Sequence, residues 1–409
     1  MEEFIVNQIK YGVKYVPKNF VKSFFIPKTN AETRKIRDKG FICGVCHPNE
    51  NYEQIAGANI RWIRVDIPYP YTATDGEWSE SFLNFKERCR GYVEHGFKIM
   101  AVTPYPQSFL ACGHDIRKPG EDQKIAAITC AAVAELRGLV HGLQVCNEMG
   151  IPRFTHPFTM PEAARFIGVQ LKALAAVKGD LLVGYNSAGP QADLHAMLQP
   201  YYQYMDYVGF DLYVGCFFGY PGFLWMYDAL ARYLWAMTGK PVLVQEFGYI
   251  SAGKPKTKAE KQAILRGYGV RNEKDARAHL QAFIDRLPPR IREETLRLYA
   301  TDDERYTFLL RGDMRQHIYR ELGRFCKVPG MEHTPEGQAK FYATVIPRFH
   351  RTPYMAGAIV YCYSDSDHCY VCGQADCPTE TRWGLVTCDG TPKPSYYAVQ
   401  KAFGAIKQY

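Results

Sequence analysis

Eight short apolar runs, separated by longer amphipathic stretches, limit what this chain can fold into. They are Phe41–Cys46, Ile60–Ile67, Phe97–Val102, Gly142–Cys146, Leu181–Tyr185, Tyr207–Tyr213, Pro241–Glu246 and Ala356–Tyr363. Each is rich in Val, Ile or aromatic residues and bounded by Gly, Pro or Asn, which reads as a strand. Polar residues alternate little within them, as expected of parallel strands covered on both faces. Helical patterns lie between: Ser81–Glu94 behind a Ser cap, Ala-rich Asp122–Arg137, Met160–Lys178 with Pro161 in its first turn, Phe223–Met237, Thr334–Arg348 and Ser395–Ile406. Strands alternating with helices eight times predict an α/β fold, a (β/α)8 TIM barrel spanning residues 41–409. A chain of 409 residues accommodates such a barrel with insertions, and 47% apolar residues supply its core.

Two segments stand outside this rhythm. Residues 252–334 follow the seventh strand and are charged and helical in pattern, over Lys258–Leu265, Glu273–Leu287, Arg290–Tyr299 and Asp303–Arg324. An insertion after a strand leaves from the C-terminal rim, where such barrels carry their active sites, so it reads as a lid. Residues 1–40 carry a stripe of Ile5, Ile9, Val13, Val16, Phe20 and Phe24 beside Lys10, Lys14, Lys18 and Lys22, broken at Pro17. This reads as an extension capping the bottom of the barrel, in preference to a helix lying on a membrane surface.

Polar residues at strand ends are the candidates for chemistry. The fourth strand delivers Asn147-Glu148 before Gly150 and Pro152, and the seventh ends at Glu246. A carboxyl at the end of an apolar strand is costly unless it is partnered or used. Arg64, His47, Asn186, Tyr213 and Tyr363 stand at other strand ends. Two glutamates from opposite sides of a barrel converge on a central pocket, the arrangement that glycoside hydrolysis requires. Arg64 is placed to keep Glu246 ionised, and Tyr213 to donate its hydroxyl to the same carboxylate. Asn147 is placed to bond a sugar hydroxyl. A buried structural Arg–Glu pair is the plainer alternative.

The pattern resembles clan A of the retaining glycoside hydrolases, and most of all its family 5 type. Asn147-Glu148 matches the acid/base motif of the fourth strand, and Glu246 the nucleophile of the seventh. Arg64 in Ile-Arg-Val-Asp-Ile-Pro matches the second-strand arginine; Tyr213 in Gly-Phe-Asp-Leu-Tyr matches the sixth-strand aromatic. The segment Trp383–Tyr396 resembles the post-barrel stretch of these enzymes. The likeness covers roughly residues 41–251 and 335–409. It implies hydrolysis of β-linked oligosaccharides or glycosides by double displacement, with carboxyl groups about 5 to 5.5 Å apart. The clan's eighth-strand Trp is missing, so Tyr361, Tyr363 or Trp383 takes its place under the sugar. His47 and Asn186 are further candidates for contact with substrate. The insertion argues for a closed pocket and exo-action. The alternatives are an endo-acting β-glycanase of the cellulase or mannanase type, and a carbohydrate-binding barrel without catalysis. A metal-dependent amidohydrolase is disfavoured by the lack of a His-x-His at the first strand end, and a Schiff-base aldolase by the lack of a strand-end Lys.

Catalysis on this reading needs no cofactor. His368-Cys369-x-x-Cys372-x4-Cys377, followed by Cys388, has metal-ligand character, and Cys369, Cys372, Cys377 and Cys388 form a candidate structural zinc site. Free or disulfide-paired cysteines are the alternative. The other thiols fall largely within apolar runs, as buried free cysteines do. The chain starts Met-Glu-Glu without a secretory pattern, so a reducing, cytoplasmic setting is expected, or secretion if a leader has been trimmed. A net charge of +8 over this length, with no basic run, does not call for nucleic acid.

Overall fold

The computed structural model describes residues 2–72, 76–217, 221–312, 314–323 and 325–409, with side chains from residue 9 onward. Ile5 of the N-terminal stripe and Arg324 at the end of an expected helix lie outside these described side chains. Eight parallel strands close into a barrel in sequence order. They are β1 (Ile42–Cys46), β2 (Trp62–Asp66), β3 (Lys98–Val102), β4 (Gly142–Gln144), β5 (Leu182–Ala188), β6 (Tyr207–Asp211), β7 (Val242–Phe247) and β8 (Met355–Val360). Each falls within or overlaps one of the eight apolar runs.

The interior is packed. Ile42, Trp62, Met100, Tyr207, Leu243 and Ile359 fill its lower layers. Glycine makes room for them: a Cβ on Gly142 would sit 2.6 Å from Met100 Cε, and one on Gly357 would sit 2.3 Å from Ile42 Cβ. The outer face of each strand packs on the helices Glu80–Glu94, Glu121–Glu135, Met160–Val177, Trp225–Thr238, Pro335–Arg351 and Pro394–Gly404. The Met160–Val177 helix starts with a complete capping box between Thr159 and Glu162. The cap of Glu80–Glu94 is Ser79 rather than the expected Ser81, because Ser79 is the residue whose extended backbone aims its hydroxyl at Phe82 N.

β7 carries an extra residue. Its partner register passes from Phe210–Val244 to Asp211–Glu246 on one side, and from Val244–Ala358 to Phe247–Val360 on the other. A bulge of this kind re-aims side chains. Gln245 turns into the barrel, where its amide donates to Tyr207 Oη at 2.8 Å. Glu246, the next residue, also reaches the barrel's central cavity.

The N-terminal segment differs from the expected pattern. Its first helix, Glu2–Lys22, runs unbroken through Pro17. Pro17 is exposed, and the helix is held by packing on Ala192–Met197 and Trp225–Thr238 rather than by its own ladder. Lys22 Nζ donates to Ala236 O at 2.7 Å and Trp235 Nε1 donates to Pro27 O at 3.0 Å. Asn19 and Ser23 face the barrel, whereas Ile9, Val13, Phe20 and Phe24 are exposed. A second helix, Ala31–Lys39, sends Ile36 into the lower layer of the interior and Arg37 to the carbonyls of Met355 and His350. No helix among the described residues is long and apolar enough to cross a membrane.

Residues 252–334 hold the helices Lys258–Gly267, Glu273–Ala278, Leu280–Ile284, Pro289–Leu298, Asp302–Leu310 and Met314–Tyr319. The expected Glu273–Leu287 helix is two pieces, because His279 leaves helical geometry at φ −125° and ψ 45°. The segment has its own apolar cluster around Leu265, Phe283, Ile284, Ile291, Leu309 and Ile318. That cluster extends to Cys369, Val371, Cys372 and Cys377, in the loop after β8.

Candidate active site

The C-terminal ends of the strands surround a cavity of about 700 Å³, roofed on one side by residues 252–334 through Leu298, Tyr299, Phe308 and Met314. His47, Arg64, Asn147, Glu148, Tyr213 and Glu246 all line it. Sequence neighbours reach it through an unusual backbone: His47, Cys146 and Glu148 have φ of 48°, 57° and 49°. Non-glycine residues in this region each cost about 1–3 kcal/mol and gather where a side chain must be aimed.

Arg64 ties three strands together. Its Nη1 donates to Glu246 Oε1 at 2.6 Å, its Nη2 to Asn147 Oδ1 at 2.7 Å and its Nε to Gln144 Oε1 at 3.0 Å. The Arg64–Glu246 pair is buried on both sides. Tyr213 Oη donates to the other oxygen of Glu246. Asn147 Oδ1 also accepts from Gln144 Nε2 at 2.9 Å and Asn186 Nδ2 at 2.7 Å. Three donors on one oxygen fix the amide's orientation and turn its Nδ2 toward Tyr105.

Glu148 is in a different environment. Its carboxyl opens on the cavity rather than on bulk solvent. Burial, then the charge of Glu246, pushes its pKa up to about 8. It is therefore protonated near neutral pH. The site thus holds one carboxyl paired with a guanidinium and a phenol, and one carboxyl that keeps its proton.

Several expected contacts fall elsewhere. Asn186 does not line the cavity: its amide bridges Asn147 and Asp211, and its Oδ1 accepts from Glu148 N at 2.9 Å. It holds Asn147 and the Glu148 backbone from behind. Tyr363 is buried away from the cavity, with its hydroxyl donating to Gln54 Oε1 at 2.6 Å. Trp383 is buried behind the wall, its ring 5.0 Å from that of Tyr213 and 5.7 Å from that of Tyr361. Of the three aromatic candidates, Tyr361 lines the cavity, edge-on to His47.

Other residues emerge only in three dimensions. Asp211 closes β6 and lines the cavity; burial, then Glu246 and Glu148, drives its pKa far up, and among the described residues its Oδ1 has no hydrogen-bond partner. Its place in Gly-Phe-Asp-Leu-Tyr, two residues before Tyr213, was the available signal. Tyr105, Arg153, Glu294 and Glu380 also line the cavity. Arg153 Nε bonds Glu294 Oε1 at 2.7 Å, tying the turn after β4 to the insertion. The cysteine cluster is likewise revised. Cys369, Cys372 and Cys377 come together, but Cys388 is exposed and apart from them; the fourth member is His317, from the insertion. His368 is exposed and pairs with Asp367.

No protein-family model and no curated protein matches the chain by sequence. By structure it is similar to a GH53 catalytic domain from Ignisphaera aggregans, with a TM-score of 0.54 and 13% identity, covering 89% of this chain and 96% of that one. A family 39 glycoside hydrolase from Bacteroides cellulosilyticus WH2 gives 0.51 at 14% identity, covering 92% of this chain and 65% of that one. A GH2 β-galacturonidase from Eisenbergiella tayi gives 0.51 at 12% identity, covering 90% and 52%. The chain therefore spans only about half to two-thirds of the length of the latter two. At such identities the likeness is one of fold, and the fold is the (β/α)8 barrel.

Proposed function

We propose that this protein is a retaining β-glycosidase of the family 5 type. The observation that carries the reading is the pairing of a protonated Glu148 with a Glu246 held by Arg64 and Tyr213 in one cavity. In the first step Glu246 attacks the anomeric carbon of a β-linked sugar. The glycosidic C–O bond breaks, and Glu148 gives its proton to the leaving oxygen. In the second step Glu148 takes a proton from water, whose oxygen displaces Glu246 from the anomeric carbon. Arg64 and Tyr213 orient the nucleophile, and Asn147 Nδ2, beside Tyr105, is the group placed to bond a sugar hydroxyl next to the reacting carbon. Tyr361, edge-on to His47, offers a flat apolar wall. The roof supplied by residues 252–334 favours short substrates and exo-action over internal cleavage of polymers.

The test is a panel of aryl β-glycosides and natural β-linked oligosaccharides, offered to wild type and Glu246→Ala. Wild type should hydrolyse at least one member, with the β-anomer as first product by NMR, and the variant should lose that activity. An α-anomer as first product refutes the double displacement. Binding of sugars without cleavage of any member favours a carbohydrate-binding barrel instead.

A further inference from the structure

His317, Cys369, Cys372 and Cys377 place one donor atom each within 4.8 Å of one another, and all four residues are buried. Their spacing has the dimensions of a metal site. Tetrahedral zinc with bonds of about 2.3 Å to sulfur and 2.0–2.1 Å to nitrogen sets ligand-to-ligand edges of about 3.8 Å for two sulfurs and 3.6 Å for sulfur and nitrogen. His317 Nδ1 lies 3.4 Å from Cys369 Sγ and 3.8 Å from Cys377 Sγ. The backbone supports the same reading. Val371 N and Cys372 N both donate to Cys369 Sγ at 3.4 Å, which favours a thiolate at that sulfur. The loop is folded to present its sulfurs: Gly373 turns at φ 70°, Gly373 N donates to Cys369 O at 2.7 Å, and Cys369 N donates to Gln374 O at 3.0 Å. Three thiolates and one imidazole form a closed donor set that leaves no position for substrate, as in structural rather than catalytic zinc sites.

We propose that His317, Cys369, Cys372 and Cys377 bind one structural zinc ion that fastens the insertion to the loop after β8. The two parts belong to different segments of the chain, 52 residues apart between His317 and Cys369. Zinc takes the three sulfurs as thiolates and releases their protons to solvent. Its place beside the cavity gives it a task. His317 lines the cavity, as do Tyr370, inside the Cys369–Cys372 turn, and Glu380, three residues beyond Cys377. The helix Met314–Tyr319 also meets this loop through apolar packing and through Arg320 Nη1 donating to Asp376 Oδ1 at 3.1 Å. With these contacts, the ion sets the position of the cavity's outer wall. It has no part in the glycosidase chemistry proposed above, and its test is independent of it.

The full chain, expressed in zinc-supplemented medium and purified without chelator, should carry one zinc per chain by elemental mass spectrometry. His317→Ala and Cys372→Ser should lose the ion, and Cys388→Ser should keep it. Protein produced with cobalt should show the thiolate-to-cobalt charge-transfer band and the intense visible bands of tetrahedral Co(II). Cys369, Cys372 and Cys377 should resist alkylation in the folded protein while Cys388 reacts. The cobalt spectrum and the alkylation pattern need only wild type, so they decide even if the variants do not fold. Metal-free wild type, a disulfide among the three cysteines, or full zinc retention by His317→Ala overturns the proposal.

Discussion

Replacing Glu148 by Gln removes a titrating proton and little else, so it isolates what that proton does to the fold. The Glu148 carboxyl is raised from 4.5 to about 8 by burial and by the neighbouring charge of Glu246. Below pH 4.5 the folded and unfolded chains both hold the proton, and the group adds no pH dependence. Between 4.5 and about 8 the unfolded chain gives up its proton while the folded chain keeps it, so rising pH favours unfolding. Above about 8 both forms are ionised and the effect levels off. At about 1.4 kcal/mol per pH unit the whole window is worth at most about 5 kcal/mol. The carboxyl opens on a cavity that water enters, so about 2–4 kcal/mol is the expected size. Wild type should lose this much stability relative to Glu148→Gln as pH rises through the window. Urea unfolding of both proteins across it gives the difference directly and needs no substrate. Parallel curves, or wild type gaining on the variant with pH, would refute the assignment. The same proton should appear in catalysis, with kcat/KM falling on an alkaline limb near 8 that Glu148→Gln lacks on substrates with activated leaving groups.

Other residues give separable tests. Arg64→Met strips the buried cation from Glu246 and from Asn147, and should destabilise the fold by about 3–5 kcal/mol in denaturant titration. Tyr213→Phe removes one donor from Glu246 and leaves that oxygen short of a partner. Activity should fall by about 10- to 100-fold, mainly in kcat, with a stability change of about 1–3 kcal/mol.

Much of the site could be read before the fold was known, for a geometric reason. In a parallel barrel the ends of the strands face one rim, so Arg64, Asn147, Glu148, Tyr213 and Glu246 announce themselves by standing where apolar runs stop. What failed to show depends on geometry that periodicity does not carry. The β7 bulge turns consecutive residues, Gln245 and Glu246, into the barrel, which a period of two forbids. Asn186 is at a strand end but wedged between Asn147 and Asp211, so it positions rather than binds. Cys388 follows the other cysteines in the chain yet faces solvent, while His317 reaches them from a helix where its spacing looks like any buried residue. Pro17 marks a helix break only when the helix must hold itself together; packing on two neighbouring helices removes that condition.

Most buried apolar residues of the insertion form a cluster distinct from the barrel's, while Leu322, Val328 and Met331 pack with the barrel. The two are tied by packing of that cluster on the loop after β8 and by polar contacts such as Arg153–Glu294. The cavity belongs to both, since its floor is barrel and its outer wall is insertion. A wall with fewer contacts to the barrel than the barrel has within itself is expected to open before the barrel unfolds. Mild heat or denaturant should then silence the site at conditions below those that unfold the barrel, and the loss should reverse on cooling or dilution.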